Sequence, residues 1–170
     1  LEPCRRNTAP CIAYVSWKIK KCNPRANIVI TPSDHVVKDV KLFSQAVSEC
    51  MEFTAETDSI VTLGIRPTAP ETGYGYIEAD LSYASSCSQN IFRVDSFKEK
   101  PSLDLAKQYV EKNNYFWNAG IFIWSVQTIV NAFRVYQPGM AKLFEEMTPQ
   151  FGTPEEKDKI AEVYDQIESI

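Results

Sequence analysis

The sequence predicts an α/β fold in which helices flank a mixed, mostly parallel sheet. Two short apolar runs, residues 27–31 and 59–65, have the β-branched composition of strands that are buried on both faces. Between them, from Asp39 to about Glu56, apolar residues recur at the spacing of one helix face. A strand, a helix and a second strand in this order are typical of a βαβ crossover, and therefore of an α/β protein.

The other elements are expected in a regular order along the chain. A helix begins near Thr8, where a capping hydroxyl precedes Pro10 in the first turn, and it ends near Cys22. Three strand-like segments follow at residues 74–80, 91–98 and 115–124, with a helix at 103–112 before the last of them. Two or three helices are expected over residues 126–170, and the last of them carries one buried stripe, formed by Ile160, Val163, Tyr164 and Ile167.

Length and composition are those of one globular domain. The chain has 170 residues, of which 44% are hydrophobic and 24% are charged, which excludes a disordered tail and a fibre. No apolar run approaches the roughly 20 residues that span a bilayer, and no signal peptide is visible at Leu1. The pattern begins with a helix, whereas a βαβ domain normally begins with a strand. We therefore expect residues 1–170 to be an internal piece of a larger domain, truncated at both ends.

The net charge limits the kinds of partner that the chain can bind, and the cysteines indicate its redox compartment. Lys and Arg number 18 against 22 Asp and Glu, and the net charge of −4 disfavours binding to nucleic acid. The lysines at 18, 20 and 21 are expected to form a solvated helix end, with a small-anion site as the alternative. Reduced thiols in the cytoplasm are the simplest account of the cysteines, because no spacing matches a zinc site and His35 is the single histidine. The five cysteines are at positions 4, 11, 22, 50 and 87.

Two polar segments follow predicted strands and could approach a ligand. Asp34 comes one turn after a buried strand, where its carboxylate can hold Mg²⁺ at the carboxyl edge of the sheet or simply cap the next helix. Residues 67–77 place Gly73 and Gly75 around one tyrosine. Such glycines allow the backbone to approach a ligand closely, although a glycine-bearing hairpin turn has the same pattern.

Two further segments carry groups that suit a phosphorylated sugar. Glu99 and Lys100, followed by Pro101, offer a carboxylate for a hydroxyl and an ammonium for a phosphate, or form a solvated strand end. Asn118 supplies both a donor and an acceptor beside the small residues that follow it. The alternative for this last segment is a strand bulge in an aromatic core.

Taken in order, these segments closely resemble the mannose-1-phosphate guanylyltransferases of the sugar-nucleotide nucleotidyltransferase superfamily. The strings that carry the resemblance are EPxxRNTAPCI, PSDH, TAPETGYGYI, FxEKP and WNAGIF. They extend over essentially the whole chain, and RNTAP and ETGYGYI are specific to this family rather than to the superfamily.

The resemblance implies a Rossmann-like nucleotide-diphospho-sugar transferase fold, with residues 1–170 as a partial nucleotidyltransferase domain. It implies a cytoplasmic, Mg²⁺-dependent enzyme that makes GDP-mannose and pyrophosphate from GTP and mannose 1-phosphate, and it allows a homo-oligomer. Asp34 matches the family's catalytic, metal-binding aspartate, and residues 6–8 (Arg6, Asn7 and Thr8) fall where the family approaches the guanine nucleotide. The positions that match its sugar-phosphate contacts are Gly73, Glu99, Lys100, Asn118 and Gly120.

Two features of the family's pattern do not occur in these 170 residues. One is the glycine-rich segment GGxGxRLxPL…PK, whose backbone amides cradle the nucleotide phosphates, and the other is a second metal-binding aspartate. We therefore expect the 170-residue chain by itself to lack measurable transferase activity.

Two other functions fit the same segments. One is a sister enzyme that uses another nucleotide or another hexose phosphate, since discrimination between bases depends on a few polar contacts. The other is a non-catalytic module that binds sugar nucleotides or partner subunits. The presence of Asp34, Glu99, Lys100 and Asn118 argues against a decayed site.

Overall fold

Helices and strands are both present along residues 2–84, 88 and 90–167, which are the residues that the computed structural model describes. Cys87 lies outside them. The elements, in chain order, are α1 (Thr8–Cys22), β1 (Asn27–Ile30), α2 (Val40–Glu56), β2 (Val61–Ile65), β3 (Tyr76–Ala84), β4 (Phe92–Lys98), α3 (Leu103–Glu111), β5 (Tyr115–Ser125), α4 (Val126–Tyr136), α5 (Pro138–Met147), a 3₁₀ turn (Thr148–Gln150) and α6 (Glu156–Gln166). The predicted elements are confirmed, with ends that shift by a few residues.

The sheet has the strand order β1-β5-β3-β4, and β2 also pairs with β5. The pairs β2–β5, β3–β5 and β3–β4 are all antiparallel, so the prediction of a mostly parallel sheet is wrong for these strands. For β3 and β4 the reason is length, because residues 85–91 are too few for the crossover of about a dozen residues that parallel neighbours need. The α/β class itself is confirmed.

The described chain forms two compact units. The first takes in residues 2–28, 58–60 and 124–167, and the second takes in residues 29–57 and 61–123. None of the described helices is both long enough and apolar enough to cross a membrane.

Aromatic side chains of α1, α4 and α5 form the core of the first unit. The Trp17 ring of α1 is 5.8 Å from that of Phe133 and 5.9 Å from that of Phe144, measured between centroids. The predicted apolar stripe of α6 is buried throughout, at Ile160, Val163, Tyr164 and Ile167. Residues 168–170 lie outside the described part of the chain.

Helices α2 and α3 each pack against the sheet in one hydrophobic cluster of the second unit. Cys50 of α2 packs with Ala119, Ile121 and Ile123 of β5. The second cluster joins Ala106 and Tyr109 of α3 to Tyr76 and Tyr115 of the sheet, and the rings of Tyr109 and Tyr115 stack at 4.2 Å. Both clusters contain residues of β5, and packing therefore holds this strand along much of its length.

The caps of the helices follow local chemistry, with one correction. Asp39 caps α2 by accepting a hydrogen bond from the Leu42 amide at 2.9 Å. Thr8 does not cap α1 as predicted, because it is already the first helical residue. The N-cap is Asn7, which makes no side-chain capping hydrogen bond and has a φ of 65° and a ψ of −164°, a strained combination for a residue with a side chain.

The lysines at the end of α1 keep substantial exposure to solvent, as predicted, and two of them also have specific partners within the first unit. Lys18 pairs with Glu156, and Lys21 donates to the carbonyl oxygens of Pro149 and Phe151 at 2.9 and 2.6 Å. Cations at this position satisfy carbonyl groups and an acidic side chain at the same time.

The Glu156 carboxylate accepts three hydrogen bonds at the start of α6. The Tyr14 hydroxyl donates to its Oε1 at 2.6 Å, the Lys18 ammonium bonds the same oxygen, and the Gly152 amide donates to Oε2 at 2.7 Å. The hydrogen bond from Lys18, followed by that from Tyr14, lowers the pKa of Glu156 to about 2. The carboxylate thus stabilises the folded state only while it is ionised.

The stability of the chain should therefore fall as Glu156 is protonated. Because its pKa is lower in the folded state than the value near 4.3 of an unfolded chain, the contribution is complete above about pH 5 and is lost towards pH 2. Urea unfolding should show Glu156→Gln less stable than the wild type at pH 7 by about 1 to 2 kcal/mol, with the gap closing at low pH.

The matched control is Glu162→Gln, which removes an exposed carboxylate that pairs with Lys159 one turn away. This variant should change stability little at either pH. An acid-induced loss of stability in Glu156→Gln as steep as in the wild type would contradict the assignment.

Candidate functional site

The polar residues singled out in the second unit lie at strand ends and at a distortion of β5. Asp34 follows β1, and Glu99 and Lys100 follow β4 directly. Asn118 lies within β5, and Gly75 immediately precedes β3. The local structure thus places most of these groups where backbone pairing stops and side chains become accessible.

Gly75 brings Glu99 and Asn118 together. A Cβ atom at Gly75 would lie 3.0 Å from Oε2 of Glu99 and 3.7 Å from Cβ of Asn118. The backbone N–H of Asn118 also donates a hydrogen bond to the Gly75 carbonyl oxygen at 2.8 Å. Any side chain at position 75 would fill the space that the Glu99 carboxylate occupies. Gly75, Glu99 and Asn118 are referred to below as the polar cluster.

A turn at Gly120 connects the polar cluster to the loop after β1. Oδ1 of Asn118 accepts the Gly120 amide at 3.0 Å, and Gly120 has a φ of +67° that L side chains rarely adopt. A Cβ atom at Gly120 would lie 3.4 Å from Cγ of Pro32, two residues before Asp34. Positions 99, 118 and 120 are thus linked through direct neighbours in one unit, and position 120 lies beside Pro32 in the loop that carries Asp34.

Three charged side chains of the second unit are exposed and available for a ligand. Asp34, Glu99 and Lys100 are all exposed, and within the described residues none of them has a hydrogen bond or an ion pair. Lys100 has a φ of 42°, a left-handed conformation that is uncommon for a residue with a side chain. Such strain is found preferentially at functional sites. Chemically, the set offers hydrogen-bond acceptors, one amide donor and one ammonium group.

Gly73 and residues 6–8 are placed differently from the polar cluster. A Cβ atom at Gly73 would have no atom within 4 Å, so the glycine that the structure packs against Glu99 is Gly75. Gly75 was named from the sequence together with Gly73, but the family resemblance assigned the sugar-phosphate contact to Gly73 alone. Arg6, Asn7 and Thr8 belong to the first unit, at the start of α1. Nε of Arg6 is buried without a hydrogen-bond partner in the described part of the chain.

The donor groups of the described residues limit how the chain could hold a metal ion. The described residues contain no group of three or more His, Cys, Asp and Glu side chains that could hold a metal. Mg²⁺, however, is commonly held by one or two carboxylates together with substrate phosphates and water. An exposed, unpaired carboxylate such as that of Asp34 fits one position of that kind.

Comparison with known proteins identifies relatives over most of the chain. Residues 1–152 match the model of the nucleotidyl transferase family. The chain is 39% identical over 148 residues to the mannose-1-phosphate guanylyltransferase of Escherichia coli, covering 86% of this chain and 32% of that protein. It is 38% identical over 141 residues to the xanthan biosynthesis protein XanB of Xanthomonas campestris pv. campestris, covering 83% of this chain and 29% of that protein.

Solved structures match over the full chain. The crystal structure of mannose-1-phosphate geranyltransferase from Thermus thermophilus has a TM-score of 0.81 and 30% identity, and the match covers all of this chain and 46% of that one. The crystal structure of mannose-6-phosphate isomerase from Helicobacter pylori shares the fold, with a TM-score of 0.74 at 24% identity. These matches confirm the predicted fold class.

The close approach at Gly75 leads to a direct test. Gly75→Ala should turn the Glu99 side chain away, because the added methyl group would lie 3.0 Å from its carboxylate oxygen. The far end of a flexible side chain can move, so stability should change by less than about 1.5 kcal/mol. NMR should show altered chemical shifts at Glu99 and Asn118.

The control is Gly73→Ala, where the methyl group would meet open space. Its spectrum should differ from the wild type only near position 73. If Gly73→Ala perturbed Glu99 more than Gly75→Ala did, the described packing of the polar cluster would be wrong.

Proposed function

The chain belongs to the nucleotidyl transferase family, and from that premise we propose that it carries part of an enzyme that makes GDP-mannose and pyrophosphate from GTP and mannose 1-phosphate. The convergence of Glu99 and Asn118 on Gly75, with Lys100 next in the chain, is the observation that carries the proposal. The name of the Escherichia coli relative supports the choice of substrates.

In this proposal the sugar phosphate is held by complementary polar groups. Glu99 accepts hydrogen bonds from hydroxyl groups of the mannose, and Lys100 balances the charge of its phosphate. The side-chain amide of Asn118 donates to a further sugar oxygen, and the left-handed turn at Gly120 keeps that amide in place. The backbone at residues 73–75 approaches the ring closely, since Gly73 and Gly75 present no side chain.

The reaction itself makes modest chemical demands on the protein. An oxygen of mannose 1-phosphate attacks the α-phosphorus of GTP, a new P–O bond forms, and the bond to the departing pyrophosphate breaks with its electron pair. Catalysis of such a transfer depends mainly on positioning and on electrostatic stabilisation. The groups assigned here are accordingly binding and charge-balancing groups, and no side chain is required as a covalent nucleophile.

Residues at the start of α1 are proposed to contact the guanine nucleotide. The buried Nε of Arg6 has no described partner, and a donor left unsatisfied in this way is costly unless a ligand provides an acceptor. Asn7, in its strained conformation, and Thr8, exposed in the first turn, flank the same helix start.

Asp34 is proposed to supply one carboxylate ligand to Mg²⁺. Bound there with phosphate oxygens, Mg²⁺ would neutralise negative charge that develops during transfer. The exposure of Asp34 and its freedom from ion pairs among the described residues support this role.

The cytoplasm is proposed as the working compartment. The described cysteines, Cys4, Cys11, Cys22 and Cys50, are all free thiols. Free thiols are typical of a reducing compartment. Burial raises the pKa of the Cys50 thiol to about 11, so that residue is a packing group rather than a nucleophile at neutral pH.

Titration of the isotope-labelled chain with mannose 1-phosphate tests the sugar-phosphate site without requiring turnover. Amide signals of Gly75, Glu99, Lys100, Asn118 and Gly120 should shift, and unphosphorylated mannose should bind more weakly. Glu99→Gln should weaken binding about tenfold, because charge-assisted hydrogen bonds are replaced by neutral ones.

Glu111→Gln is the matched control, since it neutralises an exposed glutamate at the end of α3. Its affinity for mannose 1-phosphate should equal that of the wild type. The absence of any shift at these amides at millimolar ligand would overturn the proposed sugar-phosphate site.

Calorimetry with GTP, with and without Mg²⁺, tests the role of Asp34. Mg²⁺ should tighten binding of GTP to the wild type by about tenfold and leave binding to Asp34→Asn unchanged. Asp95→Asn, which alters an exposed aspartate of β4, should behave as the wild type does. An equal effect of Mg²⁺ on Asp34→Asn would remove Asp34 from the metal site, and stronger binding of ATP or dTTP would favour a sister enzyme.

A further inference from the structure

Strand β5 bulges where it passes β2. Gly64 is opposite Asn118 and Thr62 is opposite Phe122, so β5 takes three residues, Ala119 to Ile121, to pass the single residue Leu63. A bulge of this kind leaves backbone groups unpaired and redirects side chains. The segment that carries Asn118 and Gly120 therefore needs contacts outside the regular ladder to hold its shape.

The hydroxyl of Thr62 supplies such contacts at both ends of the bulge. Its Oγ1 lies 3.3 Å from Oδ1 of Asn118 and 3.2 Å from the carbonyl oxygen of Ile121. A threonine hydroxyl has one hydrogen to donate, which is shared between these two acceptors. Thr62 is half-buried in β2, with its position fixed by pairing on both sides of the distortion.

The hydrogen bonds to Asn118 show which end of its side-chain amide is the oxygen and which is the nitrogen. Two donors, the Gly120 amide at 3.0 Å and the Thr62 hydroxyl at 3.3 Å, converge on one end of the Asn118 side chain. That end must be the oxygen, because an NH₂ group there would face the N–H of Gly120. Nδ2 is then the other end, and no described residue accepts a hydrogen bond from it.

We infer that Thr62 is a positioning residue for the proposed sugar-phosphate site: its hydroxyl holds the bulge of β5 so that Asn118 presents its NH₂ group, and not its oxygen, to the ligand. The inference rests on the proposed function for the identity of the ligand. Glu99, the other side chain that meets Gly75, is an acceptor. A fixed donor beside the Glu99 acceptor matches the paired donor and acceptor character of sugar hydroxyls, which a freely flipping amide would match only part of the time.

The test compares Thr62→Val, which keeps the branched shape and removes the hydroxyl, with Thr62→Ser, which keeps the hydroxyl. Without ligand, hydrogen exchange at the Gly120 amide should become about threefold to tenfold faster in Thr62→Val, and the Asn118 side-chain amide signals should shift. With mannose 1-phosphate, Thr62→Val should bind about threefold to tenfold more weakly, while its affinity for GTP is unchanged. Thr62→Ser should restore both properties.

Thr57→Val is the control, because it removes a hydroxyl that, among the described residues, donates to the Phe53 carbonyl at the end of α2. It should leave the Asn118 signals and the affinity for mannose 1-phosphate unchanged. If circular dichroism showed Thr62→Val to be unfolded, Thr62→Ala would replace it with the same expectations.

The two proposals can fail separately. If the wild type did not bind mannose 1-phosphate, the proposed function would be lost, and the exchange rate at Gly120 and the Asn118 signals would still decide the role of Thr62. Unchanged exchange and unchanged Asn118 signals in Thr62→Val would overturn the positioning role, whatever the affinity for the ligand. A loss of affinity for GTP equal to that for mannose 1-phosphate would likewise indicate a general structural role.

Discussion

The left-handed backbone at Gly120 is the constraint on which the arrangement of the second unit depends. It lets β5 pair with β2 on both sides of a bulge while Asn118 turns its oxygen back towards the Gly120 amide. A residue with a Cβ atom at position 120 would be strained in this conformation, and its Cβ would contact Pro32. The polar cluster and the start of the loop that carries Asp34 are thus positioned by one backbone conformation.

The rigid surroundings of β5 give this constraint its effect. The bulge lies between two cores, with Tyr115 before it in the cluster of α3, and with Ile121 at its end and Ile123 after it in the cluster of α2. Because tightly packed side chains resist displacement, the distortion cannot slide along the strand. Nucleotidyl transfer depends more on placement than on a reactive side chain, so a fixed strand with one local irregularity is a suitable support for such chemistry.

The sequence predicted features that local chemistry determines, and it missed those that depend on partners distant in the chain. The helical period of α2 and the buried stripe of α6 are local patterns, and they were predicted correctly. Strand direction was not, because an apolar run such as residues 61–65 is equally compatible with parallel and antiparallel neighbours. Only the contacts of position 75 distinguish Gly75 from Gly73, since both occur in one short glycine-rich string.

Thr62 shows the same limit more clearly. In the sequence it is one β-branched residue in an apolar strand, and threonine is common there for its propensity alone. Its hydroxyl acquires a role only when β5, more than fifty positions later, bulges opposite it. A threonine or serine in a strand that flanks a predicted glycine-containing bulge is a practical sequence signal for a positioning residue of this kind.

The first unit is assembled from stretches that are far apart in the chain, and this has a consequence for biosynthesis. Tyr14 and Lys18 emerge from the ribosome well before Glu156, the carboxylate to which both are bound. The second unit, which ends at residue 123, has all its residues available earlier. During translation, the Trp17 face of α1 therefore stays without its partners Phe133 and Phe144 until α4 and α5 have emerged, and we expect the first unit to be completed after the second.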